Sequence, residues 1–108
     1  MSLDRLMGID AHITPEKRGH TRIVSDAQGR FARMLATMSL ADTVCLRFID
    51  QYGQTIFNSL QLPVLLEELQ AVALASGDEQ DRLHLQELVT LVGEAIDGGD
   101  DFVTFIGD

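Results

Sequence analysis

Few side chains in this sequence are of a kind that does chemistry: one cysteine, Cys45, three histidines, His12, His20 and His84, and seventeen carboxylates. A nucleophilic thiol needs a helix N-terminus or a basic neighbour to lower its pKa. Cys45 has no histidine close in sequence and only Arg47 beside it, so it reads as a small buried hydrophobe. A catalytic zinc site is usually announced by a short ligand pair such as His-x-x-x-His, and none occurs. His12 and His20 can face each other across a hairpin with Asp10 nearby, which is too few ligands for a site. Glu67 and Glu68 are adjacent and point about 100° apart on a helix, so they are no matched acid–base couple. Asp97-Gly98-Gly99-Asp100-Asp101 lacks the spacing and distal glutamate of a calcium loop. No phosphate-cradling glycine loop or Gly-x-Ser-x-Gly elbow is present. These exclusions predict a non-enzyme with no catalytic residue, no metal and no cofactor.

Charge gives the more informative signal. Residues 1–50 hold seven of the eight basic side chains against six acids, while residues 51–108 hold Arg82 against eleven acids. A surface built from the second half repels phosphate and anionic lipid, which excludes nucleic acid and membrane as partners and favours a basic protein. Glu67 and Glu68 lie on the flanks of an apolar helical stripe, and most of Glu67, Glu68, Asp81, Glu87 and Glu94 are expected at the surface as a continuous negative field. Glu67, Glu68 and Glu87 are the expected docking residues, with solubility the plainer role of the same charge. A second constellation surrounds a turn: Asp50, Tyr52 and Asn58, with Thr55 between them, where Tyr52 is the only tyrosine. A tyrosine at a turn tip offers large contact area at low entropic cost, so the group is a candidate binding anchor.

The elements that position these residues follow from hydrophobic period and turn chemistry. Ile9, Ala11 and Ile13 alternate with Asp10 and His12 as a strand, and His20–Ser25 reads as a second. Asp26-Ala27-Gln28-Gly29 has the residue order of a type I turn. Residues 30–38 fit either period: Phe31, Met34, Leu35 and Met38 lie on one helical face, yet the preceding turn invites a returning strand. The strand is the reading preferred here. Thr43–Asp50 alternates cleanly, and with Thr55-Ile56-Phe57 it predicts a hairpin over 43–58. Pro63 opens a helix whose stripe runs from Leu62 to Ala73 towards Gly77, and Asp78 caps a second helix stopped at Gly98-Gly99. Phe102–Ile106, apolar on both faces, predicts a strand inside the sheet with 43–50 as neighbour. The expected core includes Leu66, Leu69, Leu88, Val92, Phe48, Phe102 and Ile106.

The expected architecture is α+β in one domain over 1–108: a mainly antiparallel sheet of four to five strands with an antiparallel pair of helices on one face. No apolar run approaches the ~18 residues of a membrane span. The N-terminus also lacks a signal-peptide pattern, which predicts a cytoplasmic protein. From Tyr52-Gly53-Gln54-Thr55-Ile56-Phe57-Asn58-Ser59-Leu60-Gln61 through Leu65-Leu66-Glu67-Glu68-Leu69 to Phe105-Ile106-Gly107-Asp108, the sequence resembles a group of small bacterial proteins of unassigned activity with a hairpin–helix–closing-strand order. The resemblance covers residues 43–108 and implies no catalytic residues. Small acidic α+β bacterial proteins also include toxin-immunity proteins, an analogy of composition. The function expected is a non-catalytic protein-interaction module with an acidic docking face, immunity-like in composition, for a basic partner. The alternatives are a self-associating structural subunit, a homo-oligomer, and a small-molecule binder or enzyme with an unrecognised site.

Overall fold

In a computed structural model of the chain, the residues described are 8–14, 22–99 and 102–107. The elements run β1 (Asp10–Thr14), β2 (Arg22–Val24), α1 (Arg30–Thr37), β3 (Gln54–Phe57), α2 (Leu62–Ala75), α3 (Glu79–Gly98) and β4 (Phe102–Ile106). The fold is α+β, with one antiparallel four-stranded sheet in the order β2-β1-β4-β3. β4 is therefore internal, as its two apolar faces require, but its neighbours are β1 and β3. Among the described residues no helix is long and apolar enough to cross a membrane.

Strand parity decides which sheet face is covered. Ala11, Ile13, Phe57, Val103 and Phe105 point to one side and are buried, and the Phe105 ring lies 5.8 Å from the rings of both Phe31 and Phe57. On that side α3 packs Leu85, Leu88, Val92 and Ala95 into the core, and α2 adds Leu62, Leu65 and Leu69. Leu69 and Leu88 are fully buried, so Leu69→Ala or Leu88→Ala is expected to lower stability by about 3 kcal/mol, read from urea unfolding midpoints. Pro63 sits in the first turn of α2, and the Asp78 carboxylate accepts from the Asp81 N–H at 3.0 Å to cap α3. That bond is the main cause holding the Asp78 carboxyl below its usual range. Gly99, at φ 88°, ends α3 in a backbone conformation that favours glycine.

Three expectations are corrected. Residues 30–37 form a helix, because the Asp26 carboxylate accepts from the first free N–H groups of that segment, at Phe31 and Ala32. Residues 43–50 form no strand and no hairpin: their backbone turns through a short 3-10 segment at Leu46–Phe48, and β3 pairs with β4 alone. Phe48 is consequently 66% exposed, and Phe102 and Ile106, on the uncovered sheet face, are each 38% exposed. Leu66 is only half-buried against the core.

Candidate functional site: a cleft between α1 and α2

The loop between α1 and β3 is tethered to α2 by a side chain of that helix. The Glu68 carboxylate, carried on α2, accepts from the N–H groups of Val44, Cys45 (3.1 Å) and Leu46 (3.0 Å). Three successive amides converging on one point form an anion-binding concavity, and here the anion is supplied from within the chain. The alternation that suggested a strand fails for this reason: the amides a sheet partner would use are taken by α2. Cys45 is buried beside this carboxylate. Burial, and then the charge of Glu68, push its thiol pKa up, the opposite of what a nucleophile needs.

Holding the loop there opens a cleft of about 480 Å³ between α1, the loop and α2. Its apolar lining comes from Met34, Met38, Val72 and Ala75, and its charged lining residues are Asp42, Glu68 and Asp81, all acidic. Size and lining fall within the range of binding clefts, and methionines let such a wall adapt to its occupant. The three acids differ in availability. Glu68 is engaged with the loop amides, and Asp81 pairs with the Arg30 guanidinium at 3.1 Å. Asp42, exposed at the loop, makes no ion pair among the described residues.

The residues singled out from the sequence do not gather in one place. Asp50 and Tyr52 form the turn before β3, where Asp50 Oδ1 accepts from the Tyr52 N–H at 2.9 Å and leaves Tyr52 78% exposed. Asn58 follows β3, and its Oδ1 accepts from the N–H groups of Leu60 and Gln61 just before α2. Glu67 is exposed on α2, and Glu68 alone of the six lines the cleft. Glu87 is exposed on α3, its Oε1 3.7 Å from His84 Nδ1. The expected continuous acidic face on the helices is thinner than the sequence suggests, since Glu94 pairs with Arg22 at 2.7 Å and Asp81 with Arg30. His12 lies on the uncovered sheet face opposite Thr104 and Ile23, while His20 falls outside the described residues.

Sequence reasoning missed three positions. Met34 and Met38, placed in the sequence on one apolar face of residues 30–38, pack against the core and also line the cleft, and no pattern in the sequence separates those roles. Asp26 read as a turn residue, and the turn is present, with the Gly29 N–H donating to Asp26 O at 2.9 Å. Its carboxylate also accepts from Ile9, Phe31 and Ala32 at 3.0–3.1 Å and faces His84 Nε2 at 3.5 Å, without a hydrogen bond to it. An aspartate a few residues before a helical stripe was the available signal. No family model, curated protein or solved structure matches the chain, so its site is read from geometry alone.

Proposed function

We propose that this chain is a non-catalytic protein-interaction module, which takes an apolar side chain of a basic partner segment into the α1–α2 cleft. The observation that supports this reading is the cleft's composition: apolar walls with three carboxylates and no cationic side chain among the described residues of its lining. An apolar anchor flanked by lysine or arginine satisfies both features, the walls by burial and Asp42 by attraction. Glu67, exposed one residue before the cleft-lining Glu68, extends the same charge along α2. The raised Cys45 thiol and the dispersal of the other titratable groups favour binding over catalysis.

The probe is a short leucine-centred peptide flanked by lysines, with a glutamate-flanked peptide as control. Titration into protein labelled at the methionine methyls is expected to shift Met34 and Met38 with the basic peptide only. Asp42→Lys is expected to weaken binding about tenfold at low salt and by less at high salt, as for a pair screened by ions. Equal shifts with the acidic peptide, or no response of either methyl, would overturn the reading.

A further inference from the structure

One polar atom of the interior is left over. Among the described residues, His84 Nε2 is the one buried side-chain nitrogen or oxygen without a hydrogen-bond partner. Buried polar groups are ordinarily bonded, so the exception calls for a reason. The imidazole is carried on α3 with its side chain 10% exposed, and each of its nitrogens faces a carboxylate. Nε2 lies 3.5 Å from Asp26 Oδ1, and Nδ1 lies 3.7 Å from Glu87 Oε1. Asp26 is buried while Glu87 is exposed to water, so the Asp26 contact is the one that counts. We infer that His84 is a proton-operated latch: when protonated, the ring closes on Asp26 and fastens α3 to the junction of β1 and α1.

The chemistry of the ring sets the direction. A neutral imidazole has one N–H and one lone pair, whereas the imidazolium donates from both nitrogens. Either neutral tautomer turns a lone pair towards a carboxylate, and only the protonated ring donates at both ends. The oxygen that faces it has room for the bond. Asp26 Oδ2 accepts from the N–H groups of Ile9 and Ala32, but Oδ1 accepts only from Phe31 among the described residues. A proton taken from solvent therefore adds a charged donor opposite an acceptor with capacity to spare, and charge-assisted bonds are roughly twice as strong as neutral ones. Unfolding separates the two groups, so lowering the pH through the histidine range strengthens the fold.

The surrounding charges leave that direction in place. His84 borders a cavity of about 300 Å³, through which water reaches the ring, and Arg30 of α1 borders it too. Arg30 opposes a second cation, but its guanidinium is held by Asp81 at 3.1 Å, with Asp78 at 3.9 Å. From β1, Asp10 adds negative charge behind Asp26, its Oδ1 accepting from the Asp26 N–H at 2.8 Å. Among the described residues, β2, β4 and α2 place no charged side chain in the cavity lining.

Urea unfolding of the full chain from about pH 8 to about pH 5.5, the span in which histidine changes charge, tests the latch. His84→Gln removes this titration and keeps that of every other group, so it supplies the baseline. Over that span the wild-type folding constant is expected to gain several-fold relative to His84→Gln. Asp26→Asn is expected to lose that gain, because the acceptor's charge is gone, and Glu87→Gln to keep most of it. In the wild type, nitrogen-15 spectra of the ring are expected to show both nitrogens protonated at the acid end, with the Nε2 proton exchanging slowly with water. The latch is overturned if wild type and His84→Gln respond to pH in parallel, or if Asp26→Asn keeps the gain. An Nε2 proton that exchanges as fast as that of an exposed histidine overturns it as well, and that measurement needs no variant to fold. None of these results bears on the methionine shifts that test the cleft.

Discussion

Asp26→Ala is expected to lower stability by about 5 kcal/mol, more than any other single truncation considered. The side chain is buried, and its two oxygens accept from the N–H groups of Ile9, Phe31 and Ala32. Those donors belong to the approach to β1 and to the first turn of α1, so one carboxylate joins a central strand to a helix. A buried donor left without an acceptor costs about 1–3 kcal/mol, and the substitution orphans three. Total stability for a chain of this length is about 5–15 kcal/mol, so the variant sits at the edge of folding. Asp26→Asn keeps one acceptor oxygen and is expected to lose about half as much. Urea unfolding of both variants checks this. A loss below about 1 kcal/mol for Asp26→Ala would mean that water replaces the carboxylate and that the link is not structural. The approach is tight as well, since a Cβ on Gly8 would lie 2.0 Å from the Asp26 carbonyl oxygen.

What was legible in the sequence was whatever a local pattern sets. The α2 stripe, the proline in its first turn, the Asp78 cap and the glycine stop of α3 all act within a few residues. The internal place of β4 was also legible, because an apolar strand needs neighbours on both sides. The errors share one physical origin. Residues 30–37 and 43–50 have patterns compatible with strands, and in both a carboxylate outside the segment settles the backbone by taking consecutive amides, the nearby Asp26 in the first and the distant Glu68 in the second. Alternation records which side chains are apolar and says nothing about where the N–H groups find acceptors. Phe48 alternates with Leu46 along the chain, yet only Leu46 is buried, because a 3-10 turn between them replaces the pleat. The cleft was invisible for a related reason: its walls come from segments some 30 residues apart, brought together by Glu68.

That side chain supplies the second large effect, and it separates two neighbours that look interchangeable in sequence. Glu67→Lys, at an exposed position, is expected to change stability by no more than about 0.5 kcal/mol. Glu68→Lys is expected to lower it by about 4 kcal/mol, because hydrogen bonds to a charged acceptor contribute about 1.5–3 kcal/mol each and the lysine puts a cation against three amides. The loop carrying Cys45 then loses its tether to α2. In the native chain, burial and the Glu68 charge keep the Cys45 thiol pKa above its ordinary value, so at a given pH less thiolate is present than in an exposed cysteine. Alkylation by iodoacetamide near neutral pH is therefore expected to be slow in the wild type and in Glu67→Lys, and much faster in Glu68→Lys. Glu68→Gln discriminates charge from tethering: its amide oxygen can still accept from the loop while the charge is gone. If Cys45 reacts in Glu68→Gln as slowly as in the wild type, burial behind a tethered loop is the dominant protection. If Glu68→Lys leaves both the unfolding midpoint and the alkylation rate unchanged, the carboxylate does not hold the loop, and the α1–α2 cleft loses the element that shapes it.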